Sequence, residues 1–169
     1  LTALEREDIL SALGDTLYLL LITSLFIIVF GLLLGFILFF TERKKEIKQN
    51  IFTKIINAIT NIIIDISRSI PFVILLVMLI PLIMGTMLGA KAALPALIIS
   101  ATPFYARIVY MSLRDVNKGK LEALQAMGAS KLTIILYMTK EALPSLISGL
   151  TVTLVTLVGF ITSAAAIGA

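Results

Sequence analysis

The 169-residue chain contains no cysteine and no histidine. Without cysteine, neither a disulfide framework nor thiolate chemistry is available. Without histidine, the commonest general base and metal ligand is missing. Charge is also scarce: 14 Lys and Arg stand against 10 Asp and Glu, a net charge of +4. The basic residues fall in two segments between apolar runs, which fits a membrane orientation bias and not a nucleic-acid face. There is no GxxxxGKS/T phosphate loop, no cluster with metal-ligand spacing, no nucleophile beside a base and no obvious repeat. The chain is therefore read as a non-enzyme that carries no cofactor of its own and hydrolyses no nucleotide.

What remains is apolar sequence. Hydrophobic residues make up 59% of the chain, and mean hydropathy is +1.08. Long uncharged runs place it among polytopic all-α membrane proteins, a single helical bundle over residues 1–169. The start at Leu1 and the stop at Ala169 inside an uncharged run lead us to expect a fragment of a longer chain.

Residues 1–15 cluster Glu5, Arg6, Glu7 and Asp8 and read as an amphipathic lead-in, not a cleavable signal peptide. The first span is expected at 16–40, uncharged and about 37 Å long as a helix, enough to cross a core of about 30 Å. Within it Gly31 and Gly35 form a small-xxx-small pair that admits a neighbouring helix; two glycines placed by chance is the other reading. Thr41–Lys54 carries Arg43, Lys44, Lys45, Lys48 and Lys54, so it is assigned to the cytoplasm and the N-terminus to the outside.

The second crossing is expected at 55–84, as one kinked helix or two pieces meeting at Pro71, followed by an external turn at 85–91. The third is expected at 92–110, interrupted by Pro95 and Pro103, and packed inside the bundle because proline at mid-span frees a carbonyl that neighbours must satisfy. Arg114, Lys118, Lys120, Lys131 and Lys140 make 115–140 the second cytoplasmic segment. A fourth span at about 145–163 returns outward.

The segment at 115–140 is the longest polar interval in an apolar chain. Leu121, Leu124, Met127 and Gly128 recur at helical spacing, with Glu122 and Gln125 on other faces. Such a helix can offer itself to a groove in a soluble partner, or lie on lipid headgroups. Gly128 suits a helix end, and Ser130 can cap the helix that resumes at Lys131.

Glu122-Ala123-Leu124, then Gly128-Ala129, then an apolar run to Leu143-Pro144 resembles the EAA-loop of permease subunits of bacterial ABC importers. Ile66-Ser67-Arg68-Ser69-Ile70-Pro71-Phe72 resembles the FRSIPF segment of the methionine-uptake permeases. Ala101-Thr102-Pro103-Phe104-Tyr105-Ala106-Arg107 is similar to their AAPFIAR segment. Glu141-Ala142-Leu143-Pro144 and Thr153–Gly159 also match, so the resemblance runs over about residues 16–169. The pattern departs in two places. Met138-Thr139-Lys140 stands where the family has Ile-x-Leu-Pro, and the family usually has five spans where this chain has four.

The resemblance implies an ABC type I importer permease fold in the bacterial inner membrane. It implies a homodimer carrying methionine inward, with ATP and Mg on separate ATPase subunits and an external substrate-binding lipoprotein delivering cargo. Leu121, Glu122, Ala123, Leu124, Met127, Gly128 and Ala129 would then be the ATPase-coupling residues. Arg68, Pro71, Pro103, Thr153 and Thr156 are candidates for a gate or translocation path. The plain alternatives are that Arg68 snorkels or pairs with Asp65, and that the fourth-span hydroxyls bond across helices. Met78, Met84 and Met87 could line a path for a thioether or simply fill gaps. Rival functions are permeation of another amino acid, an ATPase-independent secondary transporter or channel, and a membrane scaffold that recruits a soluble partner.

Overall fold

The structure, a computed structural model, describes residues 3–47, 51–83 and 92–167. These form six helices: α1 (Ala3–Ile47), α2 (Ile51–Ser69), α3 (Phe72–Ile83), α4 (Leu94–Arg114), α5 (Lys118–Ala126) and α6 (Lys131–Ile167). Three of them, α1, α4 and α6, are long and apolar enough to cross a membrane. The 85–91 turn, Met84, Met87 and the side chain of Arg68 lie outside the described residues.

The helices are longer than the uncharged runs that mark them. α1 absorbs both the acidic lead-in and the start of the basic segment, because no proline and no run of turn formers interrupts it. α6 begins at Lys131, not near residue 145, and passes through Pro144 without ending. The helix expected to resume at Lys131 and the fourth span are thus one continuous helix. Pro95 lies in the first turn of α4, where no backbone N–H is needed, and Pro103 sits inside the continuous helix, so neither interrupts it.

Of the two readings of 55–84, the structure takes the broken one. Pro71 cannot donate to the helix behind it, so α2 ends at Ser69. The Pro71 carbonyl then accepts from Ile74 N (2.9 Å) and Leu75 N (3.2 Å), which starts α3. With 12 residues, α3 spans only about 18 Å, short of a bilayer core of about 30 Å. α2 turns Ile55, Ile59, Ile62 and Ile66 outward, while Asn61 on its other side accepts from Arg107 of α4 at 3.2 Å.

α4 is the central helix. Buried residues make up 61% of its apolar window, against 22% for α1 and 28% for α6. Pro103, Thr102 and Ser100 are all enclosed. α1 packs along α4 in parallel, with Gly31 against Tyr105 and Gly35 against Ala106 and Val109. The small-xxx-small pair is therefore a real helix seam. On the opposite side, Gly149 of α6 admits Ile108. The Tyr105 hydroxyl donates to the Leu146 carbonyl at 3.5 Å, and Ser112 and Ser145 share a hydrogen bond of 2.8 Å. α3 closes the bundle by stacking Phe72 on Phe160 at 4.6 Å between ring centroids.

At the basic end, the Tyr110 hydroxyl donates to the Glu42 carboxylate and accepts from Arg114 at 3.2 Å. Arg107 lies over the Tyr110 ring, 5.0 Å from its centroid. This cluster ties the ends of α1, α2 and α4 together.

The glycine seam has a direct test. A Cβ on Gly35 would stand 2.5 Å from Val109 and 2.8 Å from the Ala106 carbonyl oxygen, and backbone cannot step aside cheaply. Gly35→Leu is expected to destabilise the bundle by about 1–3 kcal/mol, read as a lower thermal melting temperature in detergent. Gly14→Leu, where nothing lies within 4 Å, should leave the melting temperature unchanged.

Candidate functional site

α5 is a nine-residue helix held at both ends by its own sequence. Asn117 is its N-cap, with Oδ1 accepting from Gly119 N at 2.9 Å. Its far end closes in a Schellman turn: Ala129 N donates to Leu124 O and Gly128 N to Gln125 O, both at 3.0 Å. The turn requires a left-handed residue, and Gly128 has φ of 77°, a conformation glycine adopts without a Cβ clash. Ser130 then caps α6, with Oγ accepting from Thr133 N at 3.2 Å.

The expected coupling residues divide into two faces. Leu121 is buried in the bundle core beside Ile134, Met138 and Ala142 of α6, and Leu124 and Ala129 pack against the same cluster. Leu121, buried, anchors α5 to its own chain, while Leu124 and Ala129 are half-buried and keep part of their surface open. Glu122, Ala123, Met127 and Gly128 point to the exterior, as does Gln125. Met127 is 82% exposed, the most exposed large apolar residue described.

Sequence reasoning missed three contributors. Asn117 was legible in principle, as an Asn immediately before a helical run. Lys120 and Glu141 were not, since their contact is long-range: Lys120 Nζ lies 2.5 Å from Glu141 Oε1. The hydrogen bond to Glu141 and its negative charge raise the Lys120 pKa above the ordinary lysine value.

The gate candidates do not gather in one place. Pro71 is exposed at the α2–α3 break, and Pro103 is enclosed in α4. Thr153 is fully buried, its hydroxyl donating to Gly149 O at 2.8 Å. Thr156 is half-buried and donates to Val152 O at 2.9 Å. Thr151, Thr162 and Ser163 likewise bond back to their own helix, whereas Ser145 nearer its start crosses to Ser112 of α4. Met78 is 72% exposed on α3. Among the described residues no three His, Cys, Asp or Glu side chains converge on a possible metal position.

An all-helical bundle with three membrane-length helices, and a short capped helix beside its basic end, defines a multi-pass membrane protein of the importer-permease class. Residues 47–169 match the family described as binding-protein-dependent transport system inner membrane component, and the chain belongs to that family. It is 52% identical over 84 residues to the methionine import system permease protein MetP of Bacillus subtilis. It is 50% identical over 76 residues to the probable D-methionine transport system permease protein MetI of Haemophilus influenzae. These alignments cover 49% and 44% of this chain, and only 38% and 36% of the two relatives. A solved structure of the MetNI methionine ABC transporter in an inward-facing conformation superposes with a TM-score of 0.85 at 34% identity. That match covers 99% of this chain and 78% of the solved one. The fold is thus the ABC type I importer permease fold.

The positive φ of Gly128 generates a sharp expectation. A Cβ there meets no neighbour, so any cost of Gly128→Ala comes from backbone strain alone, about 1–2 kcal/mol. Amide exchange at Gly128 and Ala129, the two turn donors, should accelerate, while exchange in the middle of α4 stays unchanged.

Proposed function

We propose that this chain is the membrane permease subunit of an ATP-driven importer that moves methionine into the cell by alternating access. The observation that carries this reading is α5: a doubly capped helix at the basic end of the bundle, presenting Glu122, Ala123, Gln125 and Met127 to the exterior. A rigid helix that owes its shape to local caps can receive a push without unravelling, as a connection between a membrane bundle and a soluble motor requires. The named relatives favour methionine as cargo.

The basic residues at the α5 end place it in the cytoplasm and the N-terminus of α1 outside. The α5 face would seat in a cleft of a separate ATPase chain that holds ATP and Mg. A second copy of the permease would complete the path, and an external binding lipoprotein would deliver the cargo. Pro71, exposed where α2 and α3 meet, is the gate candidate best placed to flex, beside Arg68. Thr156 faces partly outward and can contact cargo or the second copy. Thr153 and Pro103 are enclosed within one subunit and are assigned to holding α4 and α6 together. Bistable helix packing supplies the two states, and the partner biases them through α5.

Glu122 is exposed, so Glu122→Lys should leave insertion intact. It should abolish ATP-dependent uptake of radiolabelled methionine, as should Gly128→Arg. Normal uptake together with normal ATPase co-purification in both variants rules out the coupling role. Uptake by the native protein that needs no ATP would instead indicate a secondary transporter or channel, and ATP-dependent uptake of a different amino acid would correct the cargo alone.

A further inference from the structure

α5 follows α4 after only three residues, Asp115 to Asn117, yet its backbone does not run close to that of α4. Among the described helices, α6 is the one whose backbone α5 approaches closely. The corner between α5 and α6 is short and fixed by the Schellman turn at Gly128 and the Ser130 cap. The corner to α6 and the three-residue link to α4 hold the two ends of α5, but neither fixes the angle that α5 makes with α6. Leu121 adds an apolar contact near the middle of α5. Lys120 adds a polar one in the first turn, at the end farthest from the corner, by reaching Glu141 at 2.5 Å. Glu141 lies ten residues into α6, about 15 Å along its axis. Corner, α5, ion pair and α6 therefore close a triangle. Tyr137, one turn before Glu141, contributes to the same cluster.

We propose that the Lys120–Glu141 ion pair is a strut that fixes α5 to α6 as one lever, so that a displacement imposed on α5 is delivered to α6 and not to α4. Lys120 and Glu141 are positioning residues, and the proposal rests on the permease reading given above. The pair is partly exposed, with side-chain accessibilities of 49% and 36%, and such pairs add little to stability. Its work is geometric: it fixes that angle. α6 is suited to carry the displacement onward, since it runs unbroken from Lys131 to Ile167. It meets α4 at Gly149, Leu146 and Ser145, and α3 at Phe160.

No cysteine occurs in these 169 residues, so spin labels can be directed to chosen positions here, in the permease assembled with its ATPase and with any cysteine elsewhere replaced by serine. Labels at Lys118→Cys on α5 and Leu136→Cys on α6, both exposed positions, report the distance between the helices. A narrow distribution is expected with the native pair, a broad one in Lys120→Glu, and a narrow one again in the charge swap Lys120→Glu with Glu141→Lys. In parallel, Lys120→Glu should lower ATP-driven uptake several-fold while ATP hydrolysis continues, and the swap should recover most of the loss. An unchanged distribution in Lys120→Glu overturns the strut. A broadened distribution with unchanged uptake overturns the transmission role and leaves the permease reading standing. Absence of ATP-driven uptake in the native protein overturns the permease reading and, with it, the role of the strut in transport.

Discussion

The structure depends first on how closely α1 and α6 can approach α4. Between helices in a bilayer there is no hydrophobic driving force, because lipid tails are as apolar as leucine. Association has to come from close packing and from polar contacts made where water is absent. Gly31, Gly35 and Gly149 supply the first, by letting Tyr105, Val109 and Ile108 sit where a side chain would otherwise stand. Tyr105, Ser112 and Tyr110 supply the second, each with a partner on a different helix. The large exposed residues of α1, such as Leu21, Leu25, Phe30 and Leu33, make no such demand and are left to the lipid.

The enclosure of α4 explains why it tolerates residues that are unfavourable in helices elsewhere. A proline within a helix removes one backbone hydrogen bond and costs about 3 kcal/mol in an exposed setting. Pro103 persists because its helix is wrapped on both sides and has no room to bend away. α6 shows the contrasting solution. It is mostly exposed, its hydroxyls from Thr151 to Ser163 bond to its own carbonyls, and Pro144 falls in its first half, beyond Lys140 and Glu141. One helix is held by its neighbours and the other largely holds itself, so the two differ in how freely each can shift as a unit.

Much of this was legible in the residues. The basic segments, the glycine pair, the Gly128 turn and the Ser130 cap are local features, and each leaves a mark within a few positions of itself. Pro71 marked a break but could not say whether the helix would bend or stop. What the residues hid were non-local choices. Periodicity put Leu121 and Leu124 on one face of α5, but it could not tell whether that face meets a partner or the chain's own α6. Ser130 marked a helix resuming at Lys131, but nothing local showed that it runs past Lys140, Glu141 and Pro144 into the fourth span without a break. Glu42 and Tyr110 are 68 positions apart, and Lys120 and Glu141 are 21 apart; no spacing rule reaches across such separations.

The family match begins at residue 47, and so leaves out nearly all of α1, although α1 makes the most extensive contact with α4 of any helix. The two facts are compatible if α1 completes the bundle without defining it. Where α1 crosses Tyr105, Ala106 and Val109 of α4 it must be small at two points one turn apart, a demand Gly31 and Gly35 satisfy. Register is then fixed independently by Glu42, whose carboxylate can reach the Tyr110 hydroxyl only if the glycines are correctly opposed. Two unlike contacts, one steric and one polar, separated by seven residues along α1, leave it a single register against α4. The rest of the buried stripe of α1, Leu19, Thr23, Ile27 and Leu38, then packs in the register those two contacts set, while its outer face is left to the lipid.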